Sequence, residues 1–335
     1  MSRTLFGEER RLERLNNLRD PLVAIKLNID WKIFQKELIK LFPEKDNLLG
    51  GRPAYSKLLL FKILLLQEYF GLSDKSAEYQ ITDRLSFMRF LDLSIEDQVP
   101  DSNTIWNFRE ALKIDNKIEC LFEVFVNALL KKGLIVNKGS TIDATIMKAP
   151  IQRNSRDENE EIKNGVTPKD WSEKKGAHKD IEATWTEKHG KQFYGYKNHI
   201  KMDNKSKIIT KTFTTVASTS DSKAFVPLLS DSDMNKPMHM DSGYDYDSVK
   251  TVLAAGNIKM RIQKRAVRNK PLTEKENKRN HRFAKIRCRV EHVFGAMRTL
   301  FGQPLIRTIG LQRARVKITL RSLTYNIQRA SYLMG

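Results

Sequence analysis

Residues 140–150 read STIDATIMKAP. From Thr141 to Met147 the side chains alternate, with Ile142, Ala144 and Ile146 on one side and Thr141, Asp143 and Thr145 on the other. That period of two predicts a β-strand. A carboxylate inside a strand is costly unless it has a partner or lies on an exposed edge. Asp143 is therefore either a surface residue or the first member of a site.

Outward from this strand the pattern is mixed. Leu134-Ile135-Val136 reads as a short strand before it, and Phe193–Asp203 and Ile208–Val216 as strands after it, joined by the turn Asp203-Asn204-Lys205-Ser206. A helix is expected around Ser222–Leu229, a strand at Met238–Met240, a helix at Ser248–Ala255 closed by Gly256, and a strand at Ile258–Gln263. A basic loop, 264–280, leads to a long helix from about Asn280 to Leu300, and Ala314–Tyr332 is helical again. Hairpin-linked strands followed by strands alternating with helices predict an α/β fold, a mixed sheet flanked by helices of the RNase H-like kind.

Upstream the pattern is all helical. Residues 1–45 are charged, with an amphipathic start at Leu12, Leu15 and Leu18, and Gly50-Gly51-Arg52-Pro53 signals a turn. Between 54 and 113, Leu58–Leu65 forms a nearly wholly apolar helix closed by Gly71. Ser73-Asp74 caps the next helix, and Asp101-Ser102 caps NTIWNFREAL. Residues 117–133 form another helix. Short helices with tight turns fit a helix-turn-helix DNA-binding unit or an ordinary bundle equally well. The expected organisation is an N-terminal arm at 1–50, an all-α domain at 51–133 and an α/β domain at 134–335. The last carries a long, partly disordered polar surface insertion at 151–192.

The charge narrows the function. Sixty Lys and Arg face 40 acids, for a formal net charge of +20. From Gly256 to Gly335 there are 20 Lys and Arg against 3 acids, so one quarter of the chain carries most of the excess, as a nucleic-acid face does. Cys120 and Cys288 give neither a disulfide framework nor zinc spacing. The start, MSRTLFGEERRLERL, lacks the apolar core of a signal peptide, and the greasiest stretch, Leu58–Leu66, is short and carries Lys62. A cytoplasmic protein with no membrane partner is expected.

Two further acids stand out by position. Asp241 ends a strand and opens DSGYDY; strand C-termini gather sites in α/β sheets, although Asp also simply starts turns. Glu291 is the single acid from Asn277 to the C-terminus. It shares a helical stripe with Ala284, Arg287, Gly295 and Arg298, beside a core stripe of Phe283, Ile286, Val290, Val293, Phe294 and Met297. The bland account is an i,i+4 ion pair with Arg287, about 0.3–0.5 kcal/mol on an exposed helix. If the three acids converge, they suit Mg²⁺, which prefers oxygen ligands, and two such ions can drive phosphodiester transfer.

At these residues the sequence resembles the DDE transposases of bacterial insertion sequences, in particular the family of insertion sequence five, from about Gly51 to Tyr332. STIDATIMKAP resembles the first-aspartate motif, GKQFYGYKNHIKMD the strand pair after it, and Asp241, Gly243 and Tyr244 the second motif. Arg287 and Glu291 match the third motif, a Tyr, Arg, Glu, Lys series in which Ala284 replaces the Tyr and Arg298 the Lys. The segment from Gly51 to Glu110 resembles the family's N-terminal helical domain, which favours the helix-turn-helix reading.

The resemblance implies a bacterial transposase that binds terminal inverted repeats, cleaves DNA strands and joins 3′ ends to a target. It implies Asp143, Asp241 and Glu291 as ligands of two Mg²⁺ or Mn²⁺ ions and Arg287 and Arg298 beside them. Double-stranded DNA is the expected partner, within a homo-oligomer. Asn103, Trp106 and Arg109 of the helical domain, with Lys197, His199, Arg265 and Arg268 of the other, are the expected DNA contacts. Trp106 also suits core packing, His199 an ordinary strand surface, and Trp171 and Trp185 of the insertion could stack on bases. The alternatives are a non-catalytic DNA-binding derivative of a transposase, another RNase H-like nuclease such as a resolvase, or an RNA-binding protein with structural acids.

Overall fold

A computed structural model describes residues 7–18, 20–43, 54–188, 190–266, 270–303 and 305–335. The chain divides into two compact units, Met1–Leu134 with Leu320–Gly335, and Ile135–Thr319. The expected turn at Gly50-Gly51-Arg52-Pro53 lies outside the described residues. Among the described residues no helix is long and apolar enough to cross a membrane.

The first unit is helical: α1 (Gly7–Asn17), α2 (Pro21–Asn28), α3 (Lys32–Leu41), α4 (Lys57–Phe70), α5 (Asp74–Asp83), α6 (Leu85–Leu91), α7 (Ser102–Leu112) and α8 (Lys117–Lys131). Apolar on all sides, α4 buries every residue from Leu60 to Leu66, as a helix without a polar face must. Within that stretch the ammonium of Lys62 is buried and paired with Asp92 at 2.7 Å, with the Trp31 ring 5.0 Å away. The segment expected to be an arm supplies core: Phe34 packs on Phe61 and Phe125 at ring separations of 4.9 and 5.3 Å.

The predicted caps form. Ser73 accepts from Ser76 N–H and Asp101 from Thr104 N–H, while Gly71 takes the left-handed φ of +66° that closes α4. Arg109, expected to contact DNA, is turned inward instead. Its fork donates to both Asp74 oxygens, at 2.7 and 2.6 Å, and to Gln67, so α7 is tied to α5. Trp106, for which core packing was the favoured alternative, is 45% exposed.

The second unit is built on six strands: β1 (Ser140–Lys148), β2 (Thr184–Lys188), β3 (Lys191–Asp203), β4 (Ile209–Val216), β5 (Pro237–Met240) and β6 (Lys259–Ile262). The sheet order is β2-β3-β1-β5-β6, with β4 also on β3. β1, β3 and β4 pair antiparallel, whereas β5 joins β1 and β6 joins β5 in parallel. This is the expected mixed sheet flanked by helices, with one strand, β2, in the stretch read as a polar insertion, where none was expected. Its remaining helices are α9 (Arg156–Lys163), α10 (Glu173–Ala177), α11 (Asp247–Ala255), α12 (Glu274–Phe301) and the start of α13 (Leu311–Met334), which from Leu320 belongs to the first unit. Ile142 sits in a core with Met240, Tyr244 and Leu253. Met147 and Tyr196 belong to another with Ala314 and Ile318. β1 is thus covered on both faces, which is why its burial does not alternate.

Four local expectations change. Leu134-Ile135-Val136 forms no strand. Ser222–Leu229 forms two single 3₁₀ turns, Asp221–Lys223 and Val226–Leu228, because Pro227 has no amide hydrogen with which to continue a helix. α12 starts at Glu274 and not near Asn280, since Thr273 and Glu276 make a reciprocal capping box. The polar stretch 151–192 is ordered: α9 and α10 are joined through Glu158, which accepts from the Trp171 indole at 2.6 Å and pairs with Lys175. Buried Asp180 then accepts the Tyr196 hydroxyl at 2.6 Å. Hydrogen bonds, and few aliphatic contacts, hold this segment, so its composition reads as disorder.

Gly195 lets β1 and β3 approach closely. Its φ is +145°, and a Cβ there would lie 2.3 Å from the Met147 carbonyl oxygen and 2.7 Å from the Ala149 nitrogen. We expect Gly195→Ala to lower the stability of this unit by about 2–4 kcal/mol, through backbone clash and strain, seen as a lower thermal midpoint. Arg109→Ala is expected to cost about 1–3 kcal/mol by removing the guanidinium from Asp74 and leaving it the Gln67 amide, while the salt dependence of DNA binding stays unchanged. A shallower salt dependence would return Arg109 to the DNA surface.

Candidate active site

Register brings the two aspartates together. The parallel pairing of β1 with β5 sets Ser140 beside Met238 and Thr141 beside His239. Carried two residues further, that register sets Asp143 level with Asp241, just past the end of β5. Asp241 turns the chain there, its carboxylate accepting Gly243 N–H at 2.9 Å. A Cβ on residue 243 would sit 3.0 Å from that same oxygen, so glycine lets the turn close under the carboxylate.

Asp143 is 9% exposed. Burial, and then repulsion from Asp241, push its carboxyl up to about 6, against the opposing Ala144 N–H bond, Arg287 and Lys188. One oxygen accepts Ala144 N–H at 2.8 Å and the other accepts Arg287 Nη1 at 2.9 Å. Nη2 of the same guanidinium donates to Glu291 at 2.7 Å. The i,i+4 pair expected on α12 therefore forms, and the same Arg287 also reaches across to β1. Glu291 is itself 58% exposed, as an outward-facing ligand needs to be. Among the described residues, no three His, Cys, Asp or Glu side chains are already gathered closely enough to hold a metal ion.

α12 is pinned to the sheet on both sides of Glu291. Val290, Val293, Phe294 and Met297 bury its inner face. Arg289 donates to the Asn204 carbonyl at 2.8 Å, and Lys207 meets His292 at 3.1 Å. That β3–β4 turn is itself fixed by buried Asp203, which accepts from the amides of Asn137, Lys205 and Ser206.

The remaining candidates separate. Arg298 is exposed on α12, two turns beyond Glu291, and Asn103 and Arg265 are exposed. Arg268 lies outside the described residues. Lys197 does not face solvent: its ammonium donates to the Thr219 carbonyl at 2.8 Å and to Asp221 at 3.0 Å. His199 is fully buried against Thr215 at 2.8 Å, and burial lowers it to about 4, so it is neutral and out of reach of a phosphate. Both sit on β3 beneath covering turns, where the period of two alone does not tell a covered face from an open one.

Sequence reasoning missed Asp221. It holds Lys197, stands 3.9 Å from His199 Nδ1 and, with Asp143 and Asp241, raises the buried Tyr244 hydroxyl after the larger effect of burial. Its signal was faint: one Asp in a run of Ser and Thr.

Two family models match the chain. The transposase DDE domain model matches residues 138–327, more than half of the chain, and the model of a transposase domain (DUF772) matches residues 10–111. A solved structure, the cryo-EM structure of piggyBac transposase synaptic complex with hairpin DNA, is similar at 12% identity and a TM-score of 0.47. The match covers 94% of this chain and 75% of that one. By the match of its second half, with Asp143 and Asp241 on neighbouring strands inside it, the chain belongs to the DDE-domain transposases.

Proposed function

We propose that this transposase binds the inverted repeats at the ends of a mobile element, cleaves there and joins the freed 3′ ends to target DNA. The observation that carries the reading is the Arg287 bridge: one guanidinium binds both Asp143 and Glu291, while Asp241 repels Asp143 from the next strand. The donors are all hard carboxylate oxygens, and buried Asp143 faces a second carboxylate at Asp241. This fits Mg²⁺ or Mn²⁺, which Asp143, Asp241 and Glu291 would hold. Such ions, when bound, stabilise charge on the attacking and departing oxygens.

The protein's own residues position the acids and balance their charge. Arg287 neutralises Asp143 and Glu291 and keeps the long α12 side chain aimed at β1. In cleavage a water attacks the phosphorus and the bond to the 3′ oxygen breaks, releasing a 3′ hydroxyl. In joining, that hydroxyl attacks a target phosphodiester, whose own 3′ oxygen departs with the proton. No covalent enzyme intermediate is required, so catalysis rests on positioning and charge. Exposed Asn103 and Trp106 on α7, and Arg265 with the basic turns of α12, supply the DNA contacts. A homo-oligomer holds two ends together.

Asp143→Asn, Asp241→Asn and Glu291→Gln are each expected to reduce Mg²⁺-dependent cleavage of a duplex from the gene's flanking DNA by at least about a thousand-fold, equivalent to several kcal/mol of lost charge stabilisation. Duplex affinity in Ca²⁺ should stay near wild type; a variant that still cleaves removes its residue from the site. Chelation should abolish cleavage and added Mn²⁺ restore it. Affinity for the same duplex should fall steeply as salt rises, and a flat response would count against the basic surface.

A further inference from the structure

The β2–β3 hairpin is built against its own electrostatics. Lys188 and Lys191 are directly opposite in its antiparallel register, at the turn end. Like charges in that arrangement destabilise a hairpin. Both side chains are exposed, and among the described residues neither ammonium has an ion-pair partner. Four other lysines of this unit are held by acids: Lys197 by Asp221, Lys201 by Asp233, Lys250 by Asp245 and Lys264 by Glu276. Lys148, across from Gly195 on β1, is likewise exposed and lies over the Phe193 ring, 5.4 Å from its centre.

The hairpin grows from a strand that also pairs with the strand of Asp143. β3 sets Ile200 opposite Asp143 and Gly195 opposite Lys148 before it enters the hairpin, and the charge of Lys188 counters the burial of the Asp143 carboxyl. β3 runs unbroken through Gly195, whose φ of +145° and close approach to β1 fix the point from which the hairpin departs. A pair of unpaired cations, placed opposite each other at a cost in stability, has a ready ligand in a DNA backbone phosphate.

We propose that Lys188 and Lys191 form a clamp for a backbone phosphate of the DNA strand that is processed at Asp143 and Asp241. The clamp rests on the transposase reading above and adds a strand-holding site supplied by the polar insertion. It positions the strand and takes no part in bond breaking.

The test compares wild type with the Lys188→Gln/Lys191→Gln double variant, using a fluorescent duplex from the gene's flanking DNA and a scrambled duplex of equal length. With Ca²⁺ present, the slope of log affinity against log salt is expected to fall by about 0.9 on both duplexes, the contribution of one lost phosphate contact. In Mn²⁺, the DNA concentration for half-maximal cleavage of the flanking duplex should rise about ten-fold, with the rate at saturation nearly unchanged. The thermal midpoint should hold or rise, because the like-charge pair is gone. An unchanged slope and unchanged half-saturation, in a preparation whose wild type cleaves, would overturn the clamp and leave the transposase reading standing. A wild type that binds neither duplex and cleaves nothing in Mn²⁺ would overturn both. A variant with a lowered midpoint and an unchanged slope would assign the lysines to the hairpin's fold and overturn the clamp.

Discussion

One guanidinium organises the candidate site. Arg287 sits on a helix whose sequence is distant from β1, yet its two terminal nitrogens join Asp143 to Glu291. Without that fork a buried carboxylate would face Asp241 with one backbone amide and the charge of Lys188 in compensation. The rest of the unit serves this arrangement: the β1–β5 register supplies the neighbouring aspartate, and the Asp203 turn holds the helix by Arg289 and His292. A guanidinium is suited to the task because it is planar, permanently charged and able to serve two acceptors at once.

Charge in this protein divides into two populations. Lys62, Lys197, Lys201 and Arg109 are neutralised by specific acids and hold helices and strands together. Other cations, on α12, in the loop before it and at the hairpin, face solvent. The net charge of +20 therefore says less than its distribution: two of the lysines and arginines expected to reach DNA are committed internally.

Much of the α/β unit was legible in the sequence because its strands are short, alternate cleanly and end at recognisable turns. Asp143, Asp241 and Glu291 could be picked out because each stands where an acid is unusual: inside a strand, at a strand end, and as the last acid of a basic C-terminal stretch. What could not be read is pairing across long stretches. No local period reveals that β1 and β5 align Asp143 with Asp241, that Arg287 reaches β1 as well as Glu291, or that Asp221 captures Lys197. The polar segment 151–192 was misread for the opposite reason. Its order comes from Glu158, Trp171 and Asp180 making specific bonds, and composition is blind to geometry. His199 looked available because a histidine on a strand carries no mark of the layer that covers it.

α12 buries no residue before Val290. From Glu274 to Arg282 its nine residues span about 14 Å, at 1.5 Å per residue, held by the capping box, the Lys264–Glu276 pair and the bonds of Asn280 to Lys264, before Phe283 meets His239. Helix without packing is only marginally favourable, and cations crowd this stretch. Its helicity there is therefore sensitive to counterions. A polyanion lying along it would stiffen the very segment that leads into Glu291, so nucleic acid would complete the fold of the helix as it arrives.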